Sequence, residues 1–268
     1  RWCQLKYNDK YIQDIIKDKS SGKNLTNTIN QGTIHFQDIN FTYEESTAPV
    51  LKNLNLIIPG GKKTALLGKS GSGKSTLMKI LIRFYKPNSG KIMIDGIPHT
   101  DISILYLRNQ INYINQNTQL FDEDIYYNIK YGNKITSDYT VLTPATSDSN
   151  NIEENQNKRI KNLLQKYDLL SIYDNLDNGL LTKAGPKGTN LSLGMQKVTI
   201  LVRGLLRNSK IIIFDEPLAG LDQKTREKVI NMIQQETKNK TVIVITHDME
   251  ILPYMDKVIN LKEINQTN

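Results

Sequence analysis

Hydrophobic positions along this chain switch between a two-residue and a 3.6-residue period, the pattern of strands alternating with helices. Ile34, Phe36, Ile39, Phe41 and Tyr43 fall mostly on alternate positions, and Leu54, Leu56 and Ile58 alternate up to the turn Pro59-Gly60-Gly61. Both runs predict antiparallel strands. Thr64 to Leu67 reads as a buried strand and Leu77 to Ile82 as a largely buried helix. A strand over Lys91–Gly96, a short helix over Leu105–Arg108 and a strand over Ile111–Ile114 follow. Beyond Phe121 the pattern is mostly helical to residue 207. Residues 133–157, rich in Asn, Ser, Thr and Asp, interrupt it and predict a flexible surface insertion, with the helical pattern resuming from Asn157 to Leu170. A long helix carries Val198, Leu201, Val202, Leu205 and Leu206. Lys210 to Phe214 and Thr241 to Thr246 are continuous apolar strands, the second of the buried parallel type, and a helix through Val229, Ile230 and Ile233 separates them. At the start, Trp2, Leu5, Ile12, Ile15 and Ile16 fall on one face of a helix over residues 1–19, and the polar residues 20–31 read as a linker. The expected class is α/β.

The stretch Gly68-Lys69-Ser70-Gly71-Ser72-Gly73-Lys74-Ser75-Thr76 joins the buried strand to the buried helix. Strand, glycine-rich loop and helix, with G-x-x-x-x-G-K-S inside, form a phosphate-binding loop. Glycines let backbone N–H groups converge on an anion, and the helix N-terminus adds its unpaired donors. Lys74 is placed to reach the β- and γ-phosphates, and Ser75 to put its hydroxyl on Mg²⁺. The strand from Lys210 delivers Asp215 and Glu216 to the sheet's carboxyl edge, where one carboxylate can hold a metal's shell and the next can polarise water. Other positions are ambiguous alone. Tyr43 reads first as an edge-strand tyrosine, and second as an aromatic that stacks on adenine. Gln116 reads as a loop residue, or as a ligand placed just past a strand end. Ser192 reads as a plain helix N-cap, and His247 as a satisfied structural group.

Composition narrows the field. With 268 residues and 38% hydrophobic content the chain can bury a sizeable core. No apolar run approaches the roughly 18–20 residues needed to span a bilayer, and no signal-peptide pattern opens the chain. A start at Arg1 suggests a piece of something longer. The formal charge of +8 is diffuse, which favours a solvated surface over a nucleic-acid interface. Cys3 is the single cysteine, so no intrachain disulfide forms, and a reducing compartment fits.

Taken in order, these residues resemble the nucleotide-binding domain of ATP-binding cassette (ABC) transporters, over about residues 33–262. Tyr43 matches the A-loop aromatic, Gly68 to Thr76 the Walker A loop, and Gln116 the Q-loop glutamine. Leu191 to Met195 match the signature motif, and Ile211 to Glu216 match Walker B with its catalytic glutamate. Ala219 to Asp222 match the D-loop, and His247 the switch histidine. The resemblance implies a P-loop NTPase, RecA-like core with an antiparallel β subdomain and a helical subdomain, at about residues 117–207, that carries the signature. It divides the chain into residues 1–31, the tail of a membrane-domain helix plus linker, and residues 32–268, the ATPase domain. The runs Arg83 to Gly90 and Leu120-Phe121 with Ile125 to Ile129 look like the exporter type, and Tyr126 to Asn133 is similar to mitochondrial-type half-transporters.

The implied function is binding and hydrolysis of ATP with Mg²⁺ to power transport across a membrane. The implied partners are a second nucleotide-binding domain, in a homo- or heterodimer, and a membrane domain encoded upstream; nucleic acid is not among them. The domain would lie on the cytosolic or organelle-matrix face. Glu216 would be the general base, His247 would hold the γ-phosphate, and Lys74 would stabilise its charge. Ser75, Gln116 and Asp215 would arrange the metal. Ser70, Gly71, Ser72, Gly73 and Thr76 would complete the phosphate cradle, while Ser192, Gly194 and Asp222 would act across the dimer. Several residues depart from the family pattern. Leu193 and Met195 stand where the signature usually has Gly and Gln, which predicts weaker contacts across the dimer. Pro186 follows Gly185 where exporters usually carry an acid. Pro217 to Gly220 and Thr246 to Asp248 look more like importer cassettes, and the usual C-terminal helix is not expected after Leu261. An importer subunit and a regulatory cassette deficient in hydrolysis are the alternatives.

Overall fold

A computed structural model describes residues 28–134 and 149–265 of the chain. The expected helix over residues 1–19 and most of the expected linker lie outside the described residues. In order, the elements are β1 (Ile34–Phe41), β2 (Leu51–Ile58), β3 (Lys63–Leu67), α1 (Lys74–Leu81), β4 (Ser89–Ile94) and β5 (Ile97–Pro98). Then come α2 (Ile104–Gln110), β6 (Ile111–Ile114), α3 (Ile125–Lys134), α4 (Ser149–Lys166) and α5 (Leu193–Leu205). The last are β7 (Ile211–Asp215), α6 (Gln223–Glu236), β8 (Thr241–Ile245), β9 (Lys257–Asn260) and α7 (Leu261–Ile264).

Two sheets form. One is antiparallel, in the order β2-β1-β4-β5, with Ile34 opposite Ile58 and Phe36 opposite Leu56. Its alternating sequence follows from having one apolar and one wetter face. The other is parallel, in the order β6-β7-β8-β3-β9. Its central strands β7 and β8 are buried at every residue, which is why their sequences are continuously apolar. Successive side chains of a strand point to opposite faces. Ile212, Phe214, Val242 and Val244 accordingly enter one core with residues of α5 and α6. Ile211, Ile213, Ile243 and Ile245 enter a second core with α1 and the antiparallel sheet. The fold is the mixed α/β arrangement expected, a parallel P-loop core beside an antiparallel sheet.

The differences from expectation are local. α4 begins at Ser149, eight residues before the expected resumption at Asn157. Residues 149–157, polar but for Ile152, form one end of a helix whose buried anchors Ile160 and Leu164 come further along. The rest of the expected insertion, residues 135–148, lies outside the described residues. After β9 the chain makes the single turn α7, capped by the Asn260 side chain.

Strand polarity places the site. β3, β6, β7 and β8 run parallel, so Gly68, Gln116, Glu216 and His247 emerge at one sheet edge. The segment leading into β1 is docked on the opposite side of these loops' strands by a carboxylate. Asp95 Oδ2 accepts the N–H groups of Asn30, Gln31 and Gly32, and Oδ1 accepts that of Thr33. Ile29 N donates to the Tyr106 hydroxyl at 3.1 Å, and Ile29 itself is buried.

Candidate nucleotide site

At the carboxyl edge of the parallel sheet opens a cleft of about 640 Å³. It is lined by the whole run Gly68 to Thr76, with Tyr43, Gln116, Asp215, Glu216 and His247 around it. The loop holds its shape through residues that tolerate left-handed backbone. Gly73, which precedes α1, has φ +91°, and a Cβ there would lie 2.7 Å from Leu51 Cδ2. Only glycine meets both conditions. α1 then buries Thr76, Leu77, Met78, Ile80 and Leu81, which fixes its N-terminus against the cleft.

Lys74 turns back over its own loop. Its ammonium donates to the carbonyls of Gly68 at 2.6 Å and Lys69 at 2.9 Å, and to Ser72 Oγ at 3.4 Å. Burial lowers its pKa, while Glu216 and Asp215 pull the other way. Lys197, in α5, is subject to the same opposing influences from burial and from Asp215 and Glu216. Both ammonium groups thus feel the same two carboxylates.

The carboxylates differ in their partners. Asp215 Oδ2 accepts from Ser75 Oγ at 3.3 Å and from the Tyr113 hydroxyl at 2.7 Å. Burial, and then the bond to Asp215, raise the Tyr113 pKa, so its phenol is a donor. Glu216 follows with φ +51° and donates its N–H to Ile245 O, extending the β7–β8 pairing. Its Oε1 meets His247 Nδ1 at 2.9 Å, and its Oε2 accepts from Thr246 Oγ1 at 3.3 Å. A carboxylate that is ionised only accepts, so the hydrogen of that bond then belongs to Nδ1 of the imidazole, whose side chain is 80% exposed.

Hydroxyl, carboxylate and carboxamide oxygens are hard donors suited to Mg²⁺. Ser75, Asp215 and Gln116 supply that set, and the first two already share a hydrogen bond. Among the described residues, no group of three or more His, Cys, Asp or Glu side chains is arranged to hold a metal ion by itself.

Tyr43 lines the cleft and donates or accepts a 2.7 Å bond with Thr76 Oγ1, its ring set edge-on to Phe41 and Tyr85. Ser192, Gly194 and Asp222 do not line the cleft. Ser192 caps α5, accepting from Met195 N, and Leu193 beside it is 72% exposed. Asp222 caps α6 through Thr225, whose hydroxyl and N–H lower the Asp222 pKa. Gly220 of this loop lies 3.9 Å from Leu193 Cβ by the position its own Cβ would take. The Arg226 guanidinium joins two loops. Nε donates to Leu221 O at 3.0 Å, and a terminal nitrogen pairs with Asp248 at 3.0 Å and Glu250 at 3.6 Å.

Sequence reading missed Tyr113, Thr246 and Arg226. Tyr113 carried a faint signal, an aromatic with a polar tip near the end of a core strand, whose hydroxyl must find a partner when buried.

The family model for ABC transporters matches residues 51–219. Among curated proteins, the chain is similar to ATP-dependent lipid A-core flippases. It is 31% identical over 252 residues to those of Hahella chejuensis (strain KCTC 2396) and Escherichia coli (strain K12). The matches cover 94% of this chain and 40% of each relative, so the chain spans well under half the length of the curated relatives it matches. A solved bacterial Atm1-family ABC exporter with ATP bound superposes with a TM-score of 0.73 at 25% identity, over 88% of this chain and 39% of that one.

Proposed function

The chain belongs to the ABC transporter family, and from that premise we propose that it is the ATP-binding and ATP-hydrolysing domain that powers an exporter. The observation that carries the reading is the Glu216–His247 pair at the mouth of the phosphate loop. ATP would lie with its phosphates over residues 68–76 and its adenine near Tyr43. Glu216 would take the proton of the attacking water as the water oxygen bonds the γ-phosphorus. The bond to the ADP oxygen breaks, leaving ADP and phosphate. Lys74 would leave its own carbonyls for the phosphate oxygens, and His247 Nε2 would face the γ-phosphate. Ser75, Gln116 and Asp215 would hold Mg²⁺, which neutralises charge on the β- and γ-phosphates.

Ser192, Gly194 and Asp222 stand outside the cleft, which supports their use on the nucleotide of a second domain. In this reading two such domains close head to tail on ATP and separate after hydrolysis. Residues 1–31 form the tail and linker of a membrane domain on the same polypeptide, residues 32–268 the ATPase domain, and the domain works on the cytosolic or organelle-matrix face. The names of the relatives, a lipid flippase and an exporter, support export over import.

The test is phosphate release from Mg²⁺-ATP by the chain, with Glu216→Gln alongside. Turnover in the wild type and its loss in a variant that still binds ATP is the expected result. A wild type that binds ATP and never releases phosphate is a regulatory cassette instead.

A further inference from the structure

Asp215 is held unequally at its two oxygens. Oδ2 accepts both the 2.7 Å bond from Tyr113 and the 3.3 Å bond from Ser75, and none of the hydrogen bonds of the described residues goes to Oδ1. Tyr113 comes from β6, which pairs with β7 in parallel register, Tyr113 opposite Ile213 and Ile114 opposite Phe214. Its ring packs on the core that contains α1, so the hydroxyl is presented from a fixed ring. We propose that Tyr113 is the positioning residue of the cation site, locking Asp215 Oδ2 against Ser75 so that Asp215 Oδ1 and the Ser75 lone pairs are presented to the metal.

The physical argument has three parts. The terminal torsion of an aspartate is soft and roughly two-fold, so the carboxylate plane needs an outside restraint. Ser75 alone is a weak one, because 3.3 Å is long for an O–H···O bond while 2.7 Å is optimal. A serine hydroxyl has one proton, and spending it on Asp215 turns both lone pairs toward another partner. By fixing Oδ2, Tyr113 leaves Oδ1 as the available oxygen of Asp215 and sets the oxygen that receives the Ser75 proton. Partners that orient a metal ligand without touching the metal typically change affinity by about 10–100-fold when removed.

This inference rests on the reading of the cleft as a Mg²⁺-nucleotide site, and its test separates the two. The probe is Mn²⁺, titrated by electron paramagnetic resonance into the chain saturated with ADP. Tyr113→Phe removes only the hydroxyl, and Tyr113→Met removes the donor in a different shape. Both should weaken Mn²⁺ about tenfold while ADP affinity in EDTA stays within twofold of wild type. In turnover, half-saturating Mg²⁺ should rise by the same factor with kcat at saturating Mg²⁺ little changed. Tyr106→Phe, which loses a hydroxyl that serves Ile29, should match the wild type throughout. Unchanged Mn²⁺ affinity in Tyr113→Phe overturns the role of Tyr113 and leaves the nucleotide reading intact. A wild type with no Mn²⁺-ADP binding at all overturns both.

Discussion

His247 Nδ1 lies 2.9 Å from Glu216 Oε1, a contact between residues 31 apart in sequence that the β7–β8 pairing brings side by side. The histidine orients the carboxylate from the solvent side, and Thr246 holds its other oxygen. If the pair acts as one unit, its removal is not additive. Glu216→Gln should lower kcat by about 10²–10⁴-fold with ATP affinity kept. His247→Ala should cost at least about 10²-fold, and the double variant should be no slower than the slower single. Multiplicative losses in single-turnover phosphate release would show that the two act separately.

Leu193 exposes 72% of its surface beside the Ser192 cap and against the loop of Gly220. A charge placed there touches little within the chain, so Leu193→Asp should change unfolding stability by no more than about 0.5 kcal/mol. Facing a partner's triphosphate it would be repelled. ATP-dependent dimerisation of the Glu216→Gln protein, followed by sedimentation, should weaken at least about tenfold when Leu193→Asp is added, a shift of ~1.4 kcal/mol. Unaltered dimerisation would remove this surface from the interface.

His99 is buried, and burial, aided by the charge of Arg83, depresses its pKa to about 4. An unfolded histidine titrates near ~6.5. Between those values the unfolded chain binds a proton that the native chain refuses, so stability is lost as pH falls through the window. From pH 7 to pH 5 the loss from this residue is about 2 kcal/mol. Urea unfolding of wild type and His99→Gln at both pH values isolates it, and an equal pH dependence in the two proteins would exclude His99 as the cause.

The Asp95 carboxylate accepts four backbone N–H groups from residues 30–33. Asp95→Ala leaves those donors to water or unpaired, for about 2 kcal/mol of stability. Amide exchange should speed up first at residues 30–33. Slow exchange there in the variant would mean that the bonds of Tyr106 to Ile29 N and of Thr241 to Gln31 O hold the segment without the carboxylate.

How much of this was legible in the sequence depended on distance along the chain. Ile211 to Phe214 and Thr241 to Ile245 announce buried parallel strands because both faces are covered, and no partner need be known. The loop from Gly68 to Thr76 is equally local. The start of α4 at Ser149 was hidden because its first turns are polar, and the packing that holds the helix begins at Ile160. Tyr113 was invisible as a site residue because its partner stands 102 residues away, and only the order β6-β7 joins them. Ser192 reads as a cap and is one, and Asp222 caps the next helix; what else they do is decided outside a single chain.

One guanidinium, that of Arg226, grips the backbone beside Asp222 and the carboxylate beside His247. The consequence is mechanical. Two loops that leave different strands are fastened to a common rivet on α6. The carboxylate it holds belongs to the residue next to the ring that pairs with Glu216. An ordinary-looking arginine in the first turn of a helix thus ties the loop of Asp222 to the loop of His247.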